Sequence, residues 1–191
     1  MSLAKNSEVM AQQVTPADSV TAAAELFVSA FVAEPRLTNS SVLNTIPSMS
    51  APQIVIDTNA FVSALRSQYG ASHKLFLLLD SGKFEINISV PLVIEYEDAG
   101  KRLVGKKTRL RTSDIDDILD YVCSVANQRK VYYLWRPFLS DPKDDMVLEL
   151  AISAGSEIIV THNKGDFKGV EQFGIRVMTA QEFLQAIGEL P

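Results

Sequence analysis

From Gln53 to the C-terminus, short apolar runs alternate with longer amphipathic stretches, and this alternation admits few folds. Gln53–Ile56, Phe84–Ile88, Val131–Leu134, Glu157–Val160 and Ile175–Met178 have the length and composition of strands. Between them, Phe61–Ser67, Ser72–Asp80, Pro91–Leu103, Ser113–Gln128, Asp144–Ala154 and Ala180–Ile187 carry helical spacing. Strands separated by helices build βαβ units, whose parallel strands are covered on both faces. The pattern therefore predicts an α/β fold, a three-layer α/β/α sandwich around a mainly parallel five-stranded sheet. Local chemistry agrees at three boundaries. Gly82 follows the helix expected to end near Asp80, where a left-handed residue is wanted. Ser113 with Asp116 three residues on imitates a capping box. Gly155 closes the helix that starts at Asp144.

Residues 1–52 differ from the rest and are expected to form an N-terminal extension to a 53–191 domain. Ala22 to Val32 has the make-up of a short helix, with Thr21 or Ser19 as N-cap and Pro35 beyond its end. Leu37 to Pro52 is rich in Ser, Thr, Asn and Pro and suits a linker. Of all residues 47% are hydrophobic and 21% charged, as in a globular chain, and no apolar run reaches the ~18 residues of a membrane span. Cys123 is the single cysteine, which excludes a disulfide framework and predicts a reducing, cytoplasmic setting. With only His73 and His162 as histidines, any metal would be held by oxygen. A net charge of −5 argues against a protein that coats nucleic acid by bulk attraction, but not against local binding.

In an open parallel sheet, chemistry sits beyond the C-terminal ends of the strands. Acids and amides fall there after four separate strands: Asp57; Glu95; Asp141, Asp144 and Asp145; and Thr161, His162, Asn163 and Asp166. Singly, each has an ordinary use as a helix cap, a turn former or a complement to the helix dipole. Together they would repel one another unless a cation or a proton intervened. Carboxylate oxygens are the ligands that Mg²⁺ and Mn²⁺ prefer.

Four segments are similar to the motifs of PIN domains, in order and with their spacing kept: Ile54-Val55-Ile56-Asp57-Thr58-Asn59, Ser89 to Tyr96, Asp141 to Ala151, and Ile158 to Phe167. The likeness spans about Gln53 to Leu184 and is nearest to toxin components of bacterial toxin–antitoxin pairs. It implies a metal-dependent endoribonuclease using Mg²⁺ or Mn²⁺, with Asp57, Glu95 and either Asp144 or Asp145 as ligands and catalytic acids. The resemblance places Asn163 where the family often has Asp; it supplies a carbonyl oxygen but no charge, and Asp166 is a candidate to share its role. Thr161, Asn59 and Asp141 are expected to support these ligands. A cognate antitoxin and a homodimer are further implications.

Lys101, Arg102, Lys106, Lys107, Arg109 and Arg111 form a basic run without acids, a candidate phosphate track beside the Glu95 helix. His162, Lys143, Lys164 and Lys168 lie nearer the metal edge. Tyr69, Phe61 and Trp135 are expected in the core or an interface rather than stacked on bases. Two other functions compete. A phosphatase of the haloacid dehalogenase type needs a carboxylate two residues after its nucleophile, where this chain has Asn59. A degenerate PIN fold would bind RNA or a partner without cutting.

Overall fold

The computed structural model describes residues 51–132 and 137–191. The expected N-terminal helix and most of the linker lie outside these residues, as do Leu134 and Trp135.

Strand β1 (Gln53–Ile56) leads through Asp57 into α1 (Thr58–Arg66) and α2 (Ala71–Leu77). Strand β2 (Glu85–Ile88), α3 (Val90–Lys101), α4 (Thr112–Val125) and β3 (Asn127–Gln128) follow. The chain then forms α5 (Asp145–Ala154), β4 (Ile158–Val160), two 3₁₀ turns (Lys164–Phe167 and Val170–Phe173), β5 (Arg176–Met178) and α6 (Ala180–Ala186). All pairings are parallel, in the order β3-β2-β1-β4-β5. This is the expected α/β/α architecture. No helix among the described residues is long and apolar enough to cross a membrane.

The central strands explain themselves. Ile54-Val55-Ile56 and Ile158-Ile159-Val160 are apolar at every position, and none of the six is more than 3% exposed. A strand covered on both faces has no solvent side to leave polar, and each such side chain contributes ~1.5–3 kcal/mol by burial. Helix α1 instead buries one face, Ala60, Phe61, Ala64 and Leu65. Helix α3 starts with Pro91 in its first turn, where the missing N–H costs nothing. Gly100 allows α3 to approach α4: a Cβ there would meet Ile115 Cγ2 at 2.9 Å.

Three expectations are corrected. The third strand is Asn127–Gln128, not Val131–Leu134; Val131 and Tyr132 are not strand residues. It is a polar edge strand held by side-chain amides, with Asn127 Nδ2 donating to Glu85 Oε2 at 2.8 Å. Helix α4 begins one residue early, so its first-turn acid is Asp114, which accepts from Arg111 N at 2.7 Å. Asp116 pairs with Lys101 at 2.9 Å instead of capping. Tyr69 is 91% exposed, so of its two expected places the core is excluded, whereas Phe61 is in the core. Gly155 adopts the left-handed conformation anticipated for it, with φ 63°.

Strands β1, β2 and β3 are laid down to one side, and α5 then carries the chain back to place β4 against the other side of β1. Strand order thus reverses between β1 and β4, and the crevice at their C-terminal ends is where such folds bind ligands.

Candidate active site

Asp57 and Thr161 are the residues that follow β1 and β4, so the crevice opens between them. Asp57 is 5% exposed and Thr161 fully buried. Thr161 Oγ1 donates to Asp57 Oδ2 at 2.7 Å and accepts from Asn59 Nδ2 at 2.9 Å and Asn163 N at 3.0 Å. One hydrogen and two lone pairs are thereby used, which fixes the hydroxyl and the oxygen it serves. Asn59 Oδ1 in turn accepts from His162 N at 2.9 Å, tying the start of α1 to the turn after β4.

Glu95, half-buried on α3, and Asp144, half-buried at the N-cap of α5, face the same crevice as Asp57. Their electrostatics record the convergence. Burial first, then the charges of Glu95 and Asp166, raise the Asp57 carboxyl to about 6 against the opposing hydrogen bonds of Thr161 and the Thr58 amide. Burial and the charges of Asp57, Asp166, Asp141 and Glu95 push Asp144 to about 7. Glu95 is raised mainly by burial, with Asp141 adding to it and Lys143, Thr58 and Arg102 opposing. Acids from four crossovers thus act on one another's ionisation across one partly desolvated crevice.

Asp144 and Asp145, adjacent in sequence, point to different tasks. Asp145 is 1% exposed and accepts from Leu139 N at 2.8 Å and Phe138 N at 3.3 Å. It organises the loop before α5, while Asp144 faces the other acids. Asp166 lies on the 3₁₀ turn after β4, where its carboxylate accepts from the Asn163 amide. The exposed Asp141 accepts from Lys143 N at 2.9 Å, which shapes the turn leading to Asp144.

The donor set is hard oxygen throughout, which fits a divalent cation of the Mg²⁺ or Mn²⁺ class. Thr58 Oγ1 fits it as well: this buried oxygen has no partner of ordinary hydrogen-bond geometry among the described residues, yet it lies close enough to the Glu95 carboxyl to favour its charged form. As placed, however, no three acids or histidines among the described residues already stand at ion-gripping distance.

The basic run is not an unbroken track in space. Lys101 pairs with Glu97 and Asp116, Arg111 with Asp114 at 2.8 Å, and Lys164 with Glu182 at 3.1 Å. Arg102 acts on Glu95 and thus borders the acids, as does Lys143. Lys106, Lys107 and Arg109 are exposed. His162 is exposed, yet its Nε2 pairs with Ser72 Oγ at 2.8 Å. Thr58, Ser72 and Tyr96 were not singled out by sequence. Thr58 sits inside the first motif and Tyr96 directly after Glu95, so position held a signal there; for Ser72 it held none.

No curated protein matches the chain. A family model described as PIN domain matches residues 53–165, which contain Asp57, Glu95, Asp144 and Asn163. The PIN fold is that of a family whose members are generally nucleases, and its model covers more than half of this sequence around the crevice just described. The chain belongs to the PIN-domain family.

Proposed function

We propose that the chain is a Mg²⁺- or Mn²⁺-dependent endoribonuclease in which Asp57, Glu95 and Asp144 hold the ion. The observation that carries this reading is the gathering of Asp57, Glu95 and Asp144 from separate crossovers at the strand-order reversal, where burial first and neighbouring charge second hold their carboxyls above the usual range. Such an arrangement is costly to the fold and is relieved by a dication. Assigning the third ligand to Asp144 follows from Asp145 being occupied by backbone amides. Asn163 and Asp166 extend the same oxygen wall.

When bound, the ion supplies charge stabilisation at a phosphodiester oxygen and a water acidic enough to attack. The chain's residues do the rest. Thr161 and Asn59 orient the Asp57 carboxylate at the crevice. Arg102 and Lys143, beside Glu95, draw a phosphate toward the acids and partly offset their field. Lys106, Lys107, Lys164 and His162 border the approach, and exposed ion pairs worth ~0–1 kcal/mol leave Lys101 and Lys164 able to exchange partners. RNA as substrate follows the family, as do the toxin role, an antitoxin partner, a homodimer and a cytoplasmic setting.

The test is turnover of labelled single-stranded RNA with Mn²⁺ or EDTA. Cleavage that requires Mn²⁺ and disappears in an Asp57→Asn variant supports the reading; undiminished cleavage by that variant removes Asp57 from the site. Among the described residues no three acids stand at gripping distance, which favours one rival, a PIN fold that binds without cutting. A Mn²⁺-induced rise in melting temperature that vanishes in Glu95→Gln separates the nuclease from that rival.

A further inference from the structure

Glu95 and Tyr96 are neighbours on α3, and successive helical residues point about 100° apart. Glu95 faces the crevice while Tyr96, 2% exposed, faces the core. The Tyr96 hydroxyl donates to the carbonyl of Ile56, the peptide group immediately before Asp57. The paired residues of β1 and β2 end at Ile54 and Ile86, so α3, not β2, serves this acceptor. On the other side of the same peptide group, Asp57 N donates to Val160 O at 2.9 Å. The Tyr96 ring also stacks on Phe61, four residues after Asp57 on α1, with centroids 4.5 Å apart and planes at 13°.

One side chain therefore grips the chain before and after Asp57 while its own backbone carries Glu95. The two acids repel each other, and apart from the Thr58 hydroxyl beside Glu95, nothing in their own hydrogen bonds among the described residues ties α3 to the chain around Asp57. A slide or rotation of α3 that relieved the repulsion would break both the Tyr96 hydrogen bond and the ring stack. We infer that Tyr96 is a positioning residue that braces Asp57 against Glu95, holding the two acids at the separation needed for a shared divalent cation. The inference rests on the metal-site reading above, but the brace itself is a property of the ion-free chain.

Tyr96→Phe removes the hydroxyl and keeps the stacked ring. Two measurements are made on the whole chain: hydrogen–deuterium exchange in EDTA, and Mn²⁺ affinity by calorimetry below the melting transition. Expected are faster exchange in segments 54–61 and 90–97, unchanged exchange in β4 and β5, and Mn²⁺ binding weakened on the order of tenfold. A control, Phe84→Leu, disturbs the core contact with Phe183 and lowers stability without touching the brace. It should keep wild-type Mn²⁺ affinity. Wild-type exchange in both segments of Tyr96→Phe, or equal Mn²⁺ weakening in the control, overturns the proposal. If the wild-type chain takes up no Mn²⁺, the metal reading fails, and the exchange measurement alone decides the brace. Should Tyr96→Phe not fold, Phe61→Leu keeps the hydroxyl and removes the stack, and it is judged by the same two measurements and outcomes.

Discussion

Replacing Asp57 by Asn should make the ion-free protein more stable, although it should end its activity. Asn keeps the shape and an acceptor oxygen for Thr161 and removes the charge. A carboxyl raised from 3.8 to about 6 is one whose ionised form is disfavoured in the fold. At about 1.4 kcal/mol per pKa unit, ionisation of Asp57 costs the native state up to about 3 kcal/mol. The raised value means that the native state binds more protons than the unfolded chain between pH 3.8 and about 6. Wild-type stability therefore falls, relative to the variant, as pH rises through that window, and the full difference stands above it. For a domain of ~140 residues, 3 kcal/mol corresponds to roughly 10 °C in melting temperature. The assay is urea denaturation of both proteins in EDTA at pH 8, 6 and 4. The variant should be more stable at pH 8 by about 2–3 kcal/mol, with the gap closing toward pH 4. A variant less stable at pH 8, or a gap independent of pH, would refute the electrostatic reasoning.

Other outcomes follow from single contacts. Thr161→Val strips one donor and two acceptor bonds from the crevice; it should cost about 1–3 kcal/mol in urea denaturation and lower RNA turnover at least tenfold. Asp145→Ala should cost a similar ~1–3 kcal/mol by freeing the amides of Phe138 and Leu139, while Mn²⁺ affinity of the folded fraction stays at the wild-type value. Asp144→Asn should do the reverse, losing the Mn²⁺ response in a thermal shift without destabilising the fold. Gly155→Ala should lower stability by about 1–2 kcal/mol purely through its left-handed backbone, since a Cβ there meets no atom within 4 Å. RNA cleavage should rise with pH through about 6 to 7, as Asp57 and Asp144 ionise, and Mn²⁺ in excess should move that rise to lower pH.

Much of the fold was legible because burial writes itself into residue types. The central strands Ile54–Ile56 and Ile158–Val160 are apolar since both faces are covered, and Gly155 stands where a left-handed residue closes α5. The edge strand escaped for the opposite reason. Asn127 and Gln128 are held by amide hydrogen bonds rather than by burial, so the apolar run at Val131 carried the stronger strand signal. The acids were legible as residues at strand ends, since topology alone directs Asp57, Glu95 and Asp144 to one crevice. What sequence left open was direction. A single helical step separates Asp144 from Asp145, and only packing decides which of the two meets the crevice. Partners far along the chain were equally hidden: Lys101 with Asp116, Lys164 with Glu182, and Ser72 with His162 depend on helices meeting in space.

The most direct measurement is calorimetric titration of the wild-type chain with Mn²⁺ at pH 6.5, repeated in buffers of different ionisation enthalpy. Because Asp57 and Asp144 titrate near that pH, saturable uptake should release protons, and Glu95→Gln and Asp144→Asn should each weaken it strongly. No saturable uptake at millimolar Mn²⁺, or uptake indifferent to both substitutions, would contradict a shared cation among these acids.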